Sequence, residues 1–274
     1  RDATTDITEG LTASGSTYTV DSINAAVKSH VLAMSAVKRR RHRQGFLSKR
    51  DSFTNAKLAA NDIASFRCSM AFQDFKVSTL TGVAQLHPWA GSVFAAAMQA
   101  AGFYKGIVNK YINTSGVLMA DGSYSDQLQS QVEDALDNGL LPAERVETGG
   151  FRWVSDQTTY AVDSNFVFNS IQATYVMDVI SLTLAQRLER AFVGQSLADV
   201  SAGLILSYIK AVMEDFRRLK LIASSDGAPA GYKDVSVVIS GPAAEVTLTV
   251  YLAGLLYFIP IKAFINPVQS SSAL

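Results

Sequence analysis

The chain has 274 residues, of which 48% are hydrophobic, so it can bury the core of one large domain or two modest ones. Its 24 lysines and arginines balance 24 aspartates and glutamates, which excludes a global field that would steer the protein toward nucleic acid, anionic lipid or acidic substrates. Cys68 is the single cysteine, which excludes an intramolecular disulfide and a metal site built on several cysteines. We therefore expect assembly in a reducing compartment.

The start of the chain differs from the rest in composition. Residues 1–20 are rich in Thr, Ser and Gly, which predicts a loop or the stub of a removed domain. The first residue is Arg1 and not Met, so we expect a piece of a longer protein. Residues 21–274 are then predicted to form one core domain, with a C-terminal strand arm at about residues 233–274.

The first third of the core predicts alternating helices and strands. A helix with an N-cap at Asp21–Ser22 is expected to run into a basic stretch at Lys38–Arg43. A short apolar patch at Gly45–Leu47 precedes a helix near Ser52–Ser65, and a strand is predicted at Phe66–Val77. The order helix, strand, helix, strand predicts an α/β unit with parallel strand pairing.

The middle of the chain predicts four helices. A turn at Leu86–Gly91 leads into an Ala-rich helix, and a helix at about Ser125–Asn138 stops at Gly139, a residue suited to a helix C-terminus. Two long amphipathic helices follow, at about Gln172–Phe192 and from near Ser196 to Leu221. Each has an apolar stripe wide enough to face a core.

The end of the chain changes to a two-residue repeat, which predicts a half-buried strand. The apolar residues of this repeat are Val246, Leu248, Val250 and Leu252. With Val235–Ile239 before it and Leu256–Ile265 after it, the chain is predicted to end in two or three strands. The whole is a mixed α/β fold, in which helices pack on a mixed sheet and the C-terminal strands are available for pairing between subunits.

One apolar stretch has the length of a membrane span. Leu248–Ile265 contains a single charge, Lys262. Gly254, Pro260 and the many β-branched and aromatic residues favour two short strands instead. We therefore expect no membrane partner.

Residues that could carry chemistry are scattered. His30, His42 and His87 are not at metal-ligand spacing, and Cys68 in a predicted strand is typical of a buried apolar cysteine. The sequence contains no P-loop, no dinucleotide-binding glycine motif and no nucleophile elbow. We expect no enzyme activity, cofactor, metal or small-molecule substrate, since an α/β enzyme would need a pocket with converging titratable groups.

Two charged segments suggest contact surfaces. Lys38–Arg43 has five cationic side chains in six residues, which favours a solvated helix end or a protein-facing patch. A nucleic-acid-associated structural protein that uses this run is the alternative. The end of the second long helix has mixed charge, including Arg217, Arg218 and Lys220, and predicts a solvated face or a docking face for a charged partner.

Four segments in this order resemble a known family. They are Gly82–Gly91, Gly106–Asn109, Leu136–Pro142 and Gly149–Tyr160. Together with the paired long helices and the alternating strands, they are similar to the C-terminal core of contractile tail sheath proteins from bacteriophages and related injection machines. The resemblance implies a structural subunit that polymerises around a tail tube and contracts to drive it through the host envelope.

The resemblance also implies partners and contact residues. The partners are further copies in stacked hexameric rings, the tail tube protein, and baseplate and tail terminator proteins, in a virion tail assembled in the host cytoplasm. Subunits of this family exchange terminal strands, which implies pairing between subunits through Val246, Leu248, Val250 and Leu252. The resemblance itself identifies no tube-contact residue, and Arg217, Arg218 and Lys220 are predicted as tube or neighbour contacts from their charge at the end of the second long helix. A piece without its donor arm is expected to be monomeric.

Overall fold

The structure is a computed structural model that describes most of the chain. The described residues are 19–36, 41–49, 51–73, 75–87, 89–102, 105–112, 117–119, 129–145, 150–163, 165–196 and 198–254. The predicted N-terminal loop up to residue 18, Lys38–Arg40 of the basic run and the predicted strand Leu256–Ile265 lie outside these ranges.

Seven helices and eleven strands lie in the described residues. The helices are α1 (Val20–Ser35), α2 (Phe53–Ile63), α3 (Ala90–Gly102), α4 (Gln129–Asp137), α5 (Phe166–Asn169), α6 (Ile171–Phe192) and α7 (Ala202–Arg218). The strands are β1 (Gly45–Ser48), β2 (Cys68–Ala71), β3 (Phe75–Thr79), β4 (Gly82–Gln85), β5 (Tyr111–Ile112), β6 (Val117–Met119), β7 (Leu140–Leu141), β8 (Ala143–Arg145), β9 (Phe151–Trp153), β10 (Tyr232–Ser240) and β11 (Ala243–Val250). The predicted mixed α/β fold is confirmed.

The first elements form the predicted parallel unit. Thr19 caps α1, and its side chain accepts a hydrogen bond from the Ser22 amide. Strand β1 pairs in parallel with β2, with Gly45 opposite Cys68, and β2 pairs in parallel with β7. Helix α2, capped by Ser52, connects the first two strands. Because both faces of such a sheet are covered, β2 is buried at every position.

The predicted strand at Phe66–Val77 is divided into β2 and β3, so that prediction was wrong in extent. The division falls at Gln73, whose side-chain amide donates to the Ala143 carbonyl at 2.6 Å and accepts from the Ala143 amide at 2.5 Å. The side chain makes the pair of bonds that a strand backbone would make. The backbone pairing of this sheet therefore ends with β2, and β3 belongs to another sheet.

Two small antiparallel sheets complete this half of the molecule. They have the strand orders β4-β3-β6 and β5-β9-β8. An aromatic cluster of Phe75, Phe151 and Trp153 fills the space between them, with the Phe75 and Phe151 ring centroids 4.5 Å apart. We call the described residues up to 163 the α/β part.

The second half contains the two long helices and a hairpin. Ser170 caps α6 and Ser201 caps α7, so α7 begins at Ala202 and not near Ser196 as predicted. Both helices bury their apolar stripes against each other and against the hairpin of β10 and β11. We call residues 171–254 the helix–hairpin part.

Candidate self-assembly surface

The residues that could carry chemistry do not converge. Among the described residues, no group of three or more His, Cys, Asp or Glu side chains is arranged to hold a metal ion. Cys68 is fully buried, and burial raises the pKa of its thiol, which disfavours the reactive thiolate. His42 lies against Asp178, and the His87 ring packs at a tilt against Trp89. His42, His87 and Cys68 are therefore in separate places and do not form one site.

A polar cleft of about 580 Å³ lies between α1 and α2. Lys49 is buried in it, and its ammonium lies 3.0 Å from Asp21 and 3.7 Å from Asp51. Neither histidine nor cysteine lines this cleft. A nucleophile and its base are thus not brought together there.

The predicted alternating strand is β11, and it has a partner in its own chain. It pairs antiparallel with β10, with Ser240 opposite Ala243 and Tyr232 opposite Val250. One edge of the strand that we expected to be available for pairing between subunits is therefore already occupied, because the turn at Gly241 brings Val235–Ile239 back beside it. The sheet has two strands, so each has an outer edge to which none of the described strands is hydrogen-bonded.

The alternation of the hairpin separates two faces. Val246, Leu248 and Val250 are half-buried against the helices, whereas Glu245, Thr247 and Thr249 are exposed. Leu252 follows β11 and forms a bridge with Ile222, after the end of α7. The four residues predicted from the two-residue repeat thus share the inner face.

An open apolar groove of about 890 Å³ lies beside this inner face. One wall is formed by the four predicted residues, Val246, Leu248, Val250 and Leu252. The other wall belongs to α6 and includes Ile180, Leu184 and Leu188. Apolar surface that remains open beside an unpaired strand edge is suited to receive a further strand. The sequence repeat indicated the strand wall, but the α6 wall has no signal beyond its own helical stripe.

The charged end of α7 is arranged in local pairs. Arg217 donates to Glu214 at 2.7 and 2.9 Å, and Arg218 donates to Asp215 at 2.8 Å. The Arg217 hydrogen bonds hold the pKa of Glu214 below its ordinary value. Lys220 is exposed and adopts a left-handed backbone conformation, with φ of 59°, directly after the C-cap residue Leu219. Two of the three predicted contact cations are therefore already paired within the helix.

The basic run does not extend α1 as predicted. The helix ends at Ser35, because the following residue, Ala36, has ψ of 144° and leaves the helical conformation. Arg41 and Arg43 are exposed, but His42 between them turns toward Asp178, with its Nδ1 atom 3.2 Å from the carboxylate. The described part of the run therefore alternates between solvent and interior, which is unlike a continuous phosphate-binding surface.

None of the helices in the described ranges is both long and apolar enough to cross a membrane. The first residues of the apolar stretch, Leu248–Val250, belong to β11, and its end lies outside the described residues.

Comparison with known proteins points to one class. No family model matches the chain. A candidate tail sheath protein of Enterococcus phage phiEF24C is 30% identical over 124 residues, which cover 44% of this chain and 21% of that protein. The chain thus matches about a fifth of the length of this relative.

Solved structures share the fold at low sequence identity. The sheath tail protein from Desulfitobacterium hafniense superimposes with a TM-score of 0.60 at 12% identity, over 85% of this chain and 54% of that one. The helical sheath of the anti-feeding prophage in its contracted state gives a TM-score of 0.57 at 13% identity, over 89% of this chain and 67% of that one. The fold is therefore that of contractile tail sheath proteins. The resemblance predicted from the sequence is confirmed, and the nucleic-acid alternative gains no support from these relatives.

Proposed function

We propose that the chain is a structural subunit of a contractile tail sheath, which polymerises around a tail tube and contracts to drive the tube through the host envelope. The observation that carries this proposal is the open apolar groove beside β11, on a fold shared with sheath proteins. Its partners would be further copies of itself in stacked hexameric rings, the tail tube, and baseplate and tail terminator proteins. The subunit would have no enzymatic role and would reside in the virion tail after assembly in the host cytoplasm.

We infer that subunits join through strand pairing at the hairpin. A strand from a neighbouring subunit would hydrogen-bond to an outer edge of the β10–β11 sheet and place alternate side chains over the groove. Val246, Leu248, Val250 and Leu252 would then become fully buried. Main-chain bonds would supply affinity, and the apolar contacts would supply register.

Proline substitution in β11 tests this pairing. Leu248→Pro or Val250→Pro removes a backbone N–H and should abolish sheath assembly in the full-length protein. Thr247→Ala and Thr249→Ala are matched controls, since both positions are exposed in the same strand and keep the N–H. Assembly is read from electron micrographs, and circular dichroism checks that the helices remain folded. Normal tubes from both proline variants would contradict the strand-pairing proposal.

We further propose that Arg217, Arg218 and Lys220 contact the tube or a neighbouring subunit. The Lys220 ammonium is the best placed of the three, because the two arginines already pair with Glu214 and Asp215. An acidic surface on the tube or on the neighbouring subunit would raise the rate at which subunits associate more than it would raise their final affinity. Lys220→Gln should therefore slow assembly at low salt, and equal assembly rates for both proteins would remove this contact from the proposal.

A further inference from the structure

The contact between the α/β part and the start of α6 contains buried polar groups beside the buried apolar residues Ile171 and Ala173. The buried apolar clusters of the two parts are separate from each other. The first two turns of α6 enter the contact between the parts with three buried polar side chains, Gln172, Thr174 and Asp178. Because hydrogen bonds depend on direction and apolar contacts do not, the relative orientation of the parts depends on a few polar contacts.

Asp178 and Arg67 form a bidentate ion pair in this contact. The guanidinium of Arg67 donates from two nitrogens to the two carboxylate oxygens of Asp178, at 2.6 and 2.8 Å. Arg67 is 6% exposed and Asp178 is 7% exposed. His42 approaches the same carboxylate at 3.2 Å. A bidentate pair of this kind fixes both the distance and the angle between its two elements.

Other hydrogen bonds hold only the start of α6. Gln44 donates to the Ile171 carbonyl at 2.7 Å, and the Thr174 hydroxyl donates to the Phe66 carbonyl at 3.1 Å. Asp178 lies one turn beyond Thr174, so its pair with Arg67 sets the direction in which the helix leaves the α/β part. The desolvation of two charges offsets much of their attraction, so such a pair specifies geometry more than it adds stability.

We propose that the Arg67–Asp178 pair is an orientation lock, which holds the helix–hairpin part in one orientation on the α/β part. The start of α6 is the hinge about which the two parts turn when the pair is broken. This inference goes beyond the proposed function and does not depend on it. It concerns the isolated chain as well as any assembly that the chain enters.

Distance measurement between the two parts tests the lock. Spin labels on Thr54→Cys in α2 and Thr247→Cys in β11 occupy exposed positions in the two parts, and the native Cys68 is fully buried. Pulsed electron paramagnetic resonance on the labelled parent should give one narrow distance distribution. The added substitution Asp178→Asn should broaden the distribution or add a second distance.

The control is Asp215→Asn, which breaks the Arg187–Asp215 pair inside the helix–hairpin part and should leave the distribution narrow. A second variant, Arg67→Met with Asp178→Leu, fills the site with apolar groups and should keep the protein folded while the distribution broadens. A narrow distribution in either folded variant would overturn the lock. If Asp178→Asn does not fold, the Met and Leu variant decides. If neither folds, the pair is required for folding and the proposal is wrong.

Discussion

The α/β part and the helix–hairpin part bury their apolar side chains to different degrees. In the α/β part the largest of the fully buried side chains, Trp153, Phe72 and Phe75, are at most 2% exposed. In the helix–hairpin part the inner strand face stays half-buried beside an open groove. Among the described residues, the first part therefore has a closed aromatic core, whereas the second keeps an apolar groove open, which under the proposed function would receive another chain. Assembly through the second part would cost the first part none of its packing.

The largest expected effect compares the closed core with the open groove. Phe75→Ala removes a ring that contacts Phe94, Phe151 and Trp153, and should cost about 3–5 kcal/mol of unfolding free energy. Leu248→Ala on the groove wall should cost only about 1 kcal/mol in the isolated chain, because the side chain is only partly buried there. Urea unfolding measures both. Equal losses would mean that the groove is covered within the isolated chain.

A second test concerns the buried stripe of α7. Ile209 and Phe216 are at most 2% exposed, and replacement of either by Ala should cost on the order of 2–5 kcal/mol through the cavity that remains. Leu204 on the same helix is 48% exposed, so Leu204→Ala is a matched control that should cost well under about 1 kcal/mol. Melting temperatures that do not separate the buried from the exposed position would contradict this assignment of the stripe.

A residue with a left-handed backbone conformation follows one helix in each part. After α4 this residue is a glycine, and after α7 it is a lysine. Gly139 follows α4 with φ of 71°, and an added Cβ would lie 2.9 Å from the Thr159 backbone. Lys220 follows α7 with φ of 59°, a conformation in which a side chain costs about 1 kcal/mol. Gly139→Ala should therefore destabilise the protein by more than about 1 kcal/mol, since strain and a clash add together.

Lys220→Gly should stabilise the protein by about 1 kcal/mol, since glycine relieves the same backbone strain. Thermal unfolding should therefore show a lower melting temperature for Gly139→Ala and a higher one for Lys220→Gly. A loss of stability on Lys220→Gly would show that the lysine side chain makes a stabilising contact that outweighs the strain.

The sequence predicted correctly the helices and strands that have a regular apolar spacing. The apolar spacing predicted α6 and α7, and the two-residue repeat predicted β11, because each side of these elements faces one environment along its length. The start of α7 was misplaced because Ser196 and Ser201 are both suitable N-caps, and only Ser201 accepts from the helix amide of Leu204.

Contacts between distant residues had no such signal. The break after β2 depends on Gln73 and Ala143, which are 70 residues apart. The Arg67–Asp178 pair joins residues 111 apart, and nothing beside either residue predicts the other. The return of β10 onto β11 was also missed, because alternation predicts that a strand exists but not which edge is paired.

The smallest expected effect contrasts an exposed ion pair with the buried one. Arg187 donates to Asp215 at 2.6 Å, and this hydrogen bond holds the pKa of Asp215 below its ordinary value. Both side chains are more than a third exposed, so solvent screens the pair and Asp215→Asn should lower the melting temperature by no more than about 2 °C at neutral pH.

A carboxyl group with a lowered folded-state pKa stabilises the protein above its unfolded-state pKa, and this contribution is lost as the pH falls through the folded-state pKa. The difference between the parent and the variant should therefore disappear in acid, and added salt should reduce it at neutral pH. Melting curves collected across pH and at two salt concentrations measure both trends. A difference that persists in acid, or that matches the loss caused by Asp178→Asn, would mean that exposure does not separate the two pairs.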